Sequence, residues 1–171
     1  VYMGKKLIVR SLYLGGSDID KAMFRKVLAD NGLSSGNLSQ EQVVNACVRL
    51  RKVKEKYYRT GRAQNKETIW LSKDLKMDYL VNEEFMKSVL ENDLNILQWE
   101  TDYINLSWHK CFEKFVNRTG SLISGLPCDA VILTGGTSNV HDVGEICEQF
   151  YGKEKIYYEE NPSASVAKGL C

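Results

Sequence analysis

The spacing of apolar residues in the first part of the chain predicts a hairpin followed by a helix. Residues 1–3 and 7–13 alternate between apolar and polar positions, which is typical of strands. From Ser17 onward the apolar positions take helical spacing, and Ser17 and Asp20 stand at the spacing of a capping box that would begin this helix. Gly32 is the predicted stop, because glycine is favoured just beyond a helix end.

The middle of the chain predicts a long helix, a second hairpin and further helical segments. We expect a helix over 39–59, opened by a capping box at its first residue. Alternating runs at 67–71 and 76–81 predict two paired strands. Another helix is expected after the cap Asn82, and helical spacing then continues, with breaks, to Gly120.

The last part of the chain predicts a strand, a helix, a strand and the start of another helix. The strands are expected at 130–134 and 155–158, with a helix over 140–151 between them. A final helix would begin at Asn161-Pro162. The chain therefore starts within one predicted element and stops within another, so we expect it to be a piece of a longer protein. The whole order of elements predicts an α/β or mixed fold.

Composition and charge narrow the classes of protein without naming one. The 171 residues are 43% hydrophobic and 26% charged, a usual globular composition, and 23 Lys and Arg residues stand against 22 Asp and Glu residues. Balanced charge gives no reason to expect binding to nucleic acid or to a membrane surface. No apolar run approaches the length of about 18 residues that indicates a membrane span.

Five scattered cysteines indicate reduced thiols and hence a cytoplasmic protein. They have no close pairing, and the first residues lack the apolar core of a secretory signal. His109 and Cys111 do not have the spacing of a structural zinc site, so we expect no metal there.

Two Gly-Gly pairs stand at positions that predict turns into helices, Gly15-Gly16 and Gly135-Gly136. The amino-terminal end of a helix offers unpaired N–H groups to an anion, and glycine lets a ligand approach the backbone closely. Thr137 and Ser138 would add hydroxyl groups beside the second pair. The alternative is a tight turn in which Ser138 caps the following helix. Neither glycine pair belongs to a Walker loop or a G-x-G-x-x-G fingerprint.

The helix predicted over 39–59 is strongly basic, and three interpretations of it stay open. It could present a solvated basic face, or, with a wider basic patch, a nucleic-acid surface. It could also line a small anionic or aromatic ligand, since four of its residues share one face at i, i+3, i+4 and i+7. Those four residues are Arg51, Lys54, Glu55 and Tyr58. The adjacent His141 and Asp142 are expected in the first turn of a helix and not as a catalytic pair.

Four segments, taken in order, resemble the 70-kilodalton heat-shock chaperones, the DnaK-like family. They are LGGSDID at 14–20, the basic helix with its hairpin, VILTGGTSNV at 131–140, and NPSASVAKG at 161–169. The chain is similar to the second lobe of that family's actin-like ATPase domain. The resemblance implies a ribonuclease-H-like α/β half-domain formed by 1–38 and 82–171, with an inserted helix-plus-hairpin subdomain at 39–81.

The resemblance also implies a function in ATP-driven protein folding and the stress response. In that family ATP or ADP lies between two lobes, and the second lobe contributes the adenosine side of the cleft. The expected partners are the first lobe of the same chain, the nucleotide with Mg in the intact protein, client proteins and co-chaperones. The intact protein would be an ATPase. This piece alone would not be catalytic, because the phosphate loops and the catalytic lysine of the family would precede Val1.

Matched position by position, the resemblance implies a set of nucleotide-contacting residues. Gly135, Gly136, Thr137 and Ser138 match the adenosine loop, Lys54 matches a basic residue of the adenosine-contacting helix, and Gly15 and Gly16 match a conserved turn of the family. The chain departs from the family at four positions of that site, namely Arg51, Glu55, Asn139 and Ser163.

The departures remove the arginine pair that holds adenine in the family. We expect Arg51 and Tyr58 to flank the base in its place. Two alternatives stay open: half of an actin-like sugar or metabolite kinase, and a binding module that has lost nucleotide.

Overall fold

The computed structural model describes residues 2–3, 6–7, 11–92, 105–122 and 128–159, and over these ranges the chain is a mixed α/β protein with three two-stranded sheets. The helices lie mostly in the order that the sequence predicts. In chain order the elements are β1 Tyr2–Met3, β2 Lys6–Leu7, α1 Gly16–Asp30, α2 Gln40–Arg59, β3 Asn65–Trp70, β4 Lys76–Val81, α3 Glu83–Asn92, α4 Trp108–Leu122, β5 Val131–Leu133, α5 His141–Tyr151 and β6 Ile156–Tyr158.

The first hairpin is shorter than predicted. The strands β1 and β2 pair antiparallel, with Tyr2 opposite Leu7 and Met3 opposite Lys6. Residues 11–13, which were predicted to continue the second strand, are not in a strand. The predicted helical stretch before Asn105 and the helix predicted at Asn161 lie outside the described residues.

The start of α1 differs from the predicted capping box. The helix begins at Gly16, and the carboxylate of Asp18 accepts a hydrogen bond from the Gly15 N–H at 2.9 Å. Asp20 caps nothing and is buried instead, with 1% of its surface exposed. The prediction failed because Ser17 already lies inside the helix, which shifts every capping position by two residues. The end of the helix is as predicted, since Gly32 follows it with φ +66°.

The caps of α2 and α3 are confirmed. The Ser39 hydroxyl accepts a hydrogen bond from the Gln42 N–H, and the Gln42 side chain accepts one from the Ser39 N–H. At the start of α3, the Asn82 side chain accepts a hydrogen bond from the Phe85 N–H at 2.8 Å. Both helices therefore begin where local side chains satisfy the first free N–H groups.

The hairpin β3–β4 follows α2 directly and packs against α1. Its strands are antiparallel over six residue pairs, from Asn65 opposite Val81 to Trp70 opposite Lys76. The Asn31 side chain at the end of α1 donates a hydrogen bond to the Asp78 carbonyl oxygen at 3.3 Å. Helix, hairpin and α1 thus form one packed group.

The segment from β5 to β6 forms a parallel strand–helix–strand unit. Val131 pairs with Ile156, and Leu133 pairs with Tyr158. Parallel strands need a crossover, which α5 supplies here. This arrangement places the turn after β5 at the carboxyl end of the strand, where ligands bind in open α/β sheets.

One apolar core joins these elements. Its largest fully buried side chains are Trp108, Tyr57, Ile19, Met23, Leu50, Ile69, Met77, Ile146, Val27, Val81 and Val89. The Trp108 ring stacks on Phe112 with ring centres 5.6 Å apart. Within the described ranges no helix combines the length and the apolar composition needed to cross a bilayer.

Candidate functional site: two glycine turns and an adjoining groove

The two glycine turns meet in the fold although they lie about 120 residues apart in sequence. A Cβ atom built on Gly16 would lie 3.6 Å from the Thr137 hydroxyl and 3.1 Å from the Lys54 ammonium nitrogen. Residues from α1, from α2 and from the turn after β5 therefore converge at one point. The absence of a side chain at Gly16 makes that approach possible, because even a methyl group would crowd Lys54.

The first turn is held by four hydrogen bonds, one of them from the Asp18 N–H to the Gly15 carbonyl oxygen at 3.2 Å. The Gly15 N–H donates to Asp18, while the Gly15 carbonyl oxygen accepts from the indole N–H of Trp108 at 3.3 Å. The Gly16 carbonyl oxygen accepts from the Lys54 ammonium group at 2.5 Å. Both carbonyl groups of the pair are therefore bound by side chains from other helices.

Next to this turn, the buried Asp20 carboxylate contacts two cations, the buried Lys54 and the half-exposed Arg51. Asp20 is 1% exposed and Lys54 is 6% exposed. The Lys54 nitrogen lies 2.5 Å from Asp20 Oδ1, and Arg51 Nε donates a hydrogen bond to Asp20 Oδ2 at 3.0 Å. Oδ1 accepts no hydrogen bond from any described residue, because the Lys54 ammonium is not aligned with it, so the 2.5 Å contact is electrostatic.

The second turn has a backbone conformation that glycine favours. Gly135 has φ 84° and ψ 159°, and Gly136–Asn139 then form a short 3-10 helix. The Ser138 hydroxyl donates to the Gly135 carbonyl oxygen at 2.7 Å, and the Asn139 side chain donates to the Gly136 carbonyl oxygen at 3.3 Å. The predicted alternative, in which Ser138 caps the next helix, is therefore wrong: α5 begins after Val140, without a side-chain cap.

Among the residues that the structure describes, no heavy atom lies within 4 Å of a Cβ atom built on Gly15 or on Gly135. Packing therefore does not require glycine at positions 15 and 135, whereas it does at Gly16.

A groove of about 340 Å³ lies between the carboxyl end of α2 and the helices α3, α4 and α5. Tyr58 and Met86 line it, together with His109, His141 and Asp142. The described residues that line the groove include none from the glycine turns; along α2, Tyr58 follows Lys54 by four residues, which is about one helical turn. Likewise, His141 follows Thr137 by four residues.

The groove contains a histidine–aspartate pair. His109 Nδ1 lies 2.7 Å from Asp142 Oδ2, which connects α4 to α5. Burial raises the pKa of the Tyr58 hydroxyl, and the nearby Asp142 carboxylate raises it further. Tyr58 therefore faces the groove as a neutral phenol at physiological pH. The rim also carries His141, which forms an ion pair with Glu145.

The structure brings together some of the predicted residues and separates others. Gly16, Lys54 and Thr137 are in contact range, and Arg51 joins them through Asp20. Arg51 and Tyr58, expected to flank one base, have different partners, because Tyr58 lines the groove. Glu55 is exposed.

Sequence reasoning missed Asp20, Trp108 and His109 as members of the site. Asp20 lies on the buried face of α1, next to Ile19 and one turn from Met23, and a carboxylate on an apolar face could have been found by its need for a cation. His109 and Trp108 had no such local pattern.

No protein-family model matches this chain, and no curated protein matches its sequence significantly. Among the described residues, no three His, Cys, Asp or Glu side chains form a group that could hold a metal ion. The proposed function therefore depends on the geometry of the turns and the groove.

Proposed function

We propose that this chain is the nucleotide-contacting second lobe of an actin-like ATPase of the DnaK-like chaperone type, and that it binds the adenosine side of ATP or ADP. One observation carries the proposal: Gly16, Lys54 and Thr137, which come from three separate motifs of the resemblance, converge at one point. A chance likeness of short motifs would give no reason for them to meet.

The open space at the turns fits a ligand that approaches the backbone. Within the described part of the chain, no heavy atom lies within 4 Å of a Cβ atom built on Gly15 or Gly135, and the first N–H groups of a helix such as α1 lack partners within the helix. Such an end favours anions. The Thr137 hydroxyl lies beside the first turn and can hydrogen-bond a ribose or phosphate oxygen.

The groove supplies a place for the base. Its aromatic residue Tyr58 can stack against a purine, and base–aromatic stacking contributes about 1–3 kcal/mol in nucleic-acid complexes. A volume of about 340 Å³ falls in the usual size range of small-molecule sites. Tyr58 thus takes the base-contacting role on this lobe, while Arg51 remains near Asp20.

In the intact ATPase, Mg-bound ATP would supply the phosphoryl group, and this chain's residues would bind and orient the nucleotide. Phosphoryl transfer depends mainly on positioning and charge stabilisation. The turns contribute positioning at the adenosine side. Coupling of that binding to client proteins and co-chaperones belongs to the same proposal.

Titration of the intact protein with adenosine, ADP and ATP tests the proposal. The informative variant is Gly15→Val, because the extended backbone at Gly15 accepts any residue and the space in front of it is open. Folding should stay intact while the side chain occupies the ligand's place. Gly36→Val is the matched control, since Gly36 is exposed in the short 3-10 helix Ser35–Asn37 before α2.

We expect the wild-type protein and Gly36→Val to bind all three compounds, and Gly15→Val to bind at least about tenfold more weakly, a loss of about 1.4 kcal/mol. Folded wild-type protein that binds none of them would overturn the proposal and would favour a module without nucleotide. Equal affinities of Gly15→Val and wild type would show that the first turn does not contact the nucleotide. Phosphorylation of a sugar or metabolite by the intact protein would favour the kinase alternative.

A further inference from the structure

The first glycine turn is held by side chains from two other helices. Its two carbonyl oxygens accept hydrogen bonds from Trp108 and Lys54, and both donors are buried. The turn is therefore anchored to α4 through Trp108 and to α2 through Lys54. The second glycine turn differs, because its carbonyl oxygens accept hydrogen bonds from its own side chains, those of Ser138 and Asn139.

The Lys54 ammonium group is already occupied. It donates to the Gly16 carbonyl oxygen and lies 2.5 Å from Asp20 Oδ1. Its side chain is 8% exposed, whereas the Arg51 side chain, which shares the same carboxylate, is 51% exposed. Lys54 therefore has little surface with which to touch a ligand, and Arg51 has much more.

We propose that Lys54 is a positioning residue, which fixes the Gly15-Gly16 turn through the Gly16 carbonyl group, and that Asp20 holds Lys54 in that position. This inference rests on the proposed function and assigns Lys54 a different role from the direct ligand contact that the family resemblance implies. The Lys54 ammonium group has three N–H donors, so it can donate to the Gly16 carbonyl oxygen while it also lies against Asp20 Oδ1. A charged donor makes a stronger hydrogen bond than a neutral one, which suits a turn that must stay rigid.

The role of Asp20 follows from its burial. A lysine this buried is stable only with a partner, and Asp20 is the carboxylate in contact with it among the described residues. Without Asp20, Lys54 would turn toward water and release the Gly16 carbonyl group.

The test removes the charged pair without leaving a buried charge. The double variant Asp20→Leu/Lys54→Met replaces the pair by apolar residues of similar size, an exchange that buried ion pairs often tolerate. It cannot donate to the Gly16 carbonyl oxygen. Lys26→Met is the matched control, since Lys26 lies on the same helix α1 and pairs with Asp30 at the surface.

The readouts are the affinities of the intact protein for adenosine, ADP and ATP, and hydrogen exchange at the Gly15 and Asp18 amides. If Lys54 positions the turn, the double variant should lose affinity by a similar factor for all three compounds, about tenfold. The two amides should exchange faster, because their hydrogen bonds define the turn. Lys26→Met should change neither readout.

Two results would overturn the inference. If Lys54 touched a phosphate, the loss would grow from adenosine to ATP. If the turn were held without Lys54, amide exchange at Gly15 and Asp18 would match wild type. Failure of the proposed function is separate: wild-type protein would then bind no adenine compound, while hydrogen exchange would still report whether Lys54 fixes the turn.

Discussion

His109 and Asp142, which lie 33 residues apart in sequence, form a 2.7 Å contact that joins the first turn of α4 to the first turn of α5. Both side chains are about three-quarters buried at the edge of the groove. Because Asp142 also lies at the amino-terminal end of α5, its charge interacts favourably with the helix dipole. The pair therefore fixes two walls of the groove relative to each other.

Replacing Asp142 by Ala should lower the free energy of unfolding by about 1 kcal/mol, because it removes a partly buried hydrogen-bonded contact with His109 and a charge at a helix end. Urea denaturation with fluorescence detection measures it. The control is Glu145→Ala, which removes the neighbouring pair with His141, whose two side chains are half exposed. That change should cost at most about 0.5 kcal/mol. Equal effects of the two variants would contradict a special role for Asp142.

Gly135→Ala should destabilise the protein, whereas Gly15→Ala should not. The backbone of Gly135, with φ 84° and ψ 159°, lies in a region used almost only by glycine. An alanine there costs on the order of 1–3 kcal/mol. Gly15 has φ −148° and ψ −172°, an extended conformation open to any residue, so alanine there should change stability by less than about 0.5 kcal/mol. Thermal unfolding of the two variants side by side decides the point, and a stable Gly135→Ala would contradict this conformation.

Asp20→Ala should be among the most destabilising single changes in the molecule. It leaves the buried Lys54 ammonium without its carboxylate, and breaking a buried pair in this way typically costs about 3–5 kcal/mol. The matched control is Asp30→Ala on the same helix, which removes an exposed pair with Lys26. It should cost at most about 1 kcal/mol. Chemical denaturation distinguishes the two, and similar midpoints for both variants would show that the buried pair contributes little.

The sequence predicted the helix caps that form between residues close together in the chain. It did not predict the contacts between residues of different helices. The caps at Ser39 and Asn82 could be predicted because donor and acceptor are three residues apart. The partner of Asp20 could not, because Lys54 lies on a different helix and the contact exists only after α1 packs on α2. The start of α1 was predicted two residues too late. Both Asp18 and Asp20 have the spacing of a capping residue, and the sequence alone does not select between them.

The two glycine turns were likewise predicted one by one, but their contact in the fold was not. The sequence indicates that each Gly-Gly pair is a turn next to a helix, but it does not indicate that Gly16 and Thr137 are neighbours. Only the resemblance to a family implied that both turns belong to one site. The histidine–aspartate pair had neither a local pattern nor a family counterpart, so it could be found only in the folded chain.

The buried thiol of Cys147 predicts a loss of stability at alkaline pH. Burial raises the pKa of Cys147 from 9.0 to about 11. In the unfolded chain the thiol releases its proton near pH 9, while in the folded chain it keeps the proton up to about pH 11. The folded state therefore binds more protons in this window, and stability must fall as pH rises. The contribution is fully present below pH 9 and is lost between pH 9 and about 11.

Urea unfolding at several pH values between 7.5 and 10 measures this effect in wild type and in Cys147→Ala. We expect the wild-type free energy of unfolding to fall by about 1 kcal/mol more than that of the variant, since one pKa unit corresponds to about 1.4 kcal/mol. Ile146→Val is the control, because Ile146 is buried beside Cys147 on α5 and has no titratable group. The tyrosines with a raised pKa, among them Tyr158 with its pKa of about 12, begin to lower stability near pH 10 in both proteins, so their effect cancels in the comparison of wild type with Cys147→Ala. Parallel curves for wild type and Cys147→Ala would show that the Cys147 thiol does not control this part of the pH profile.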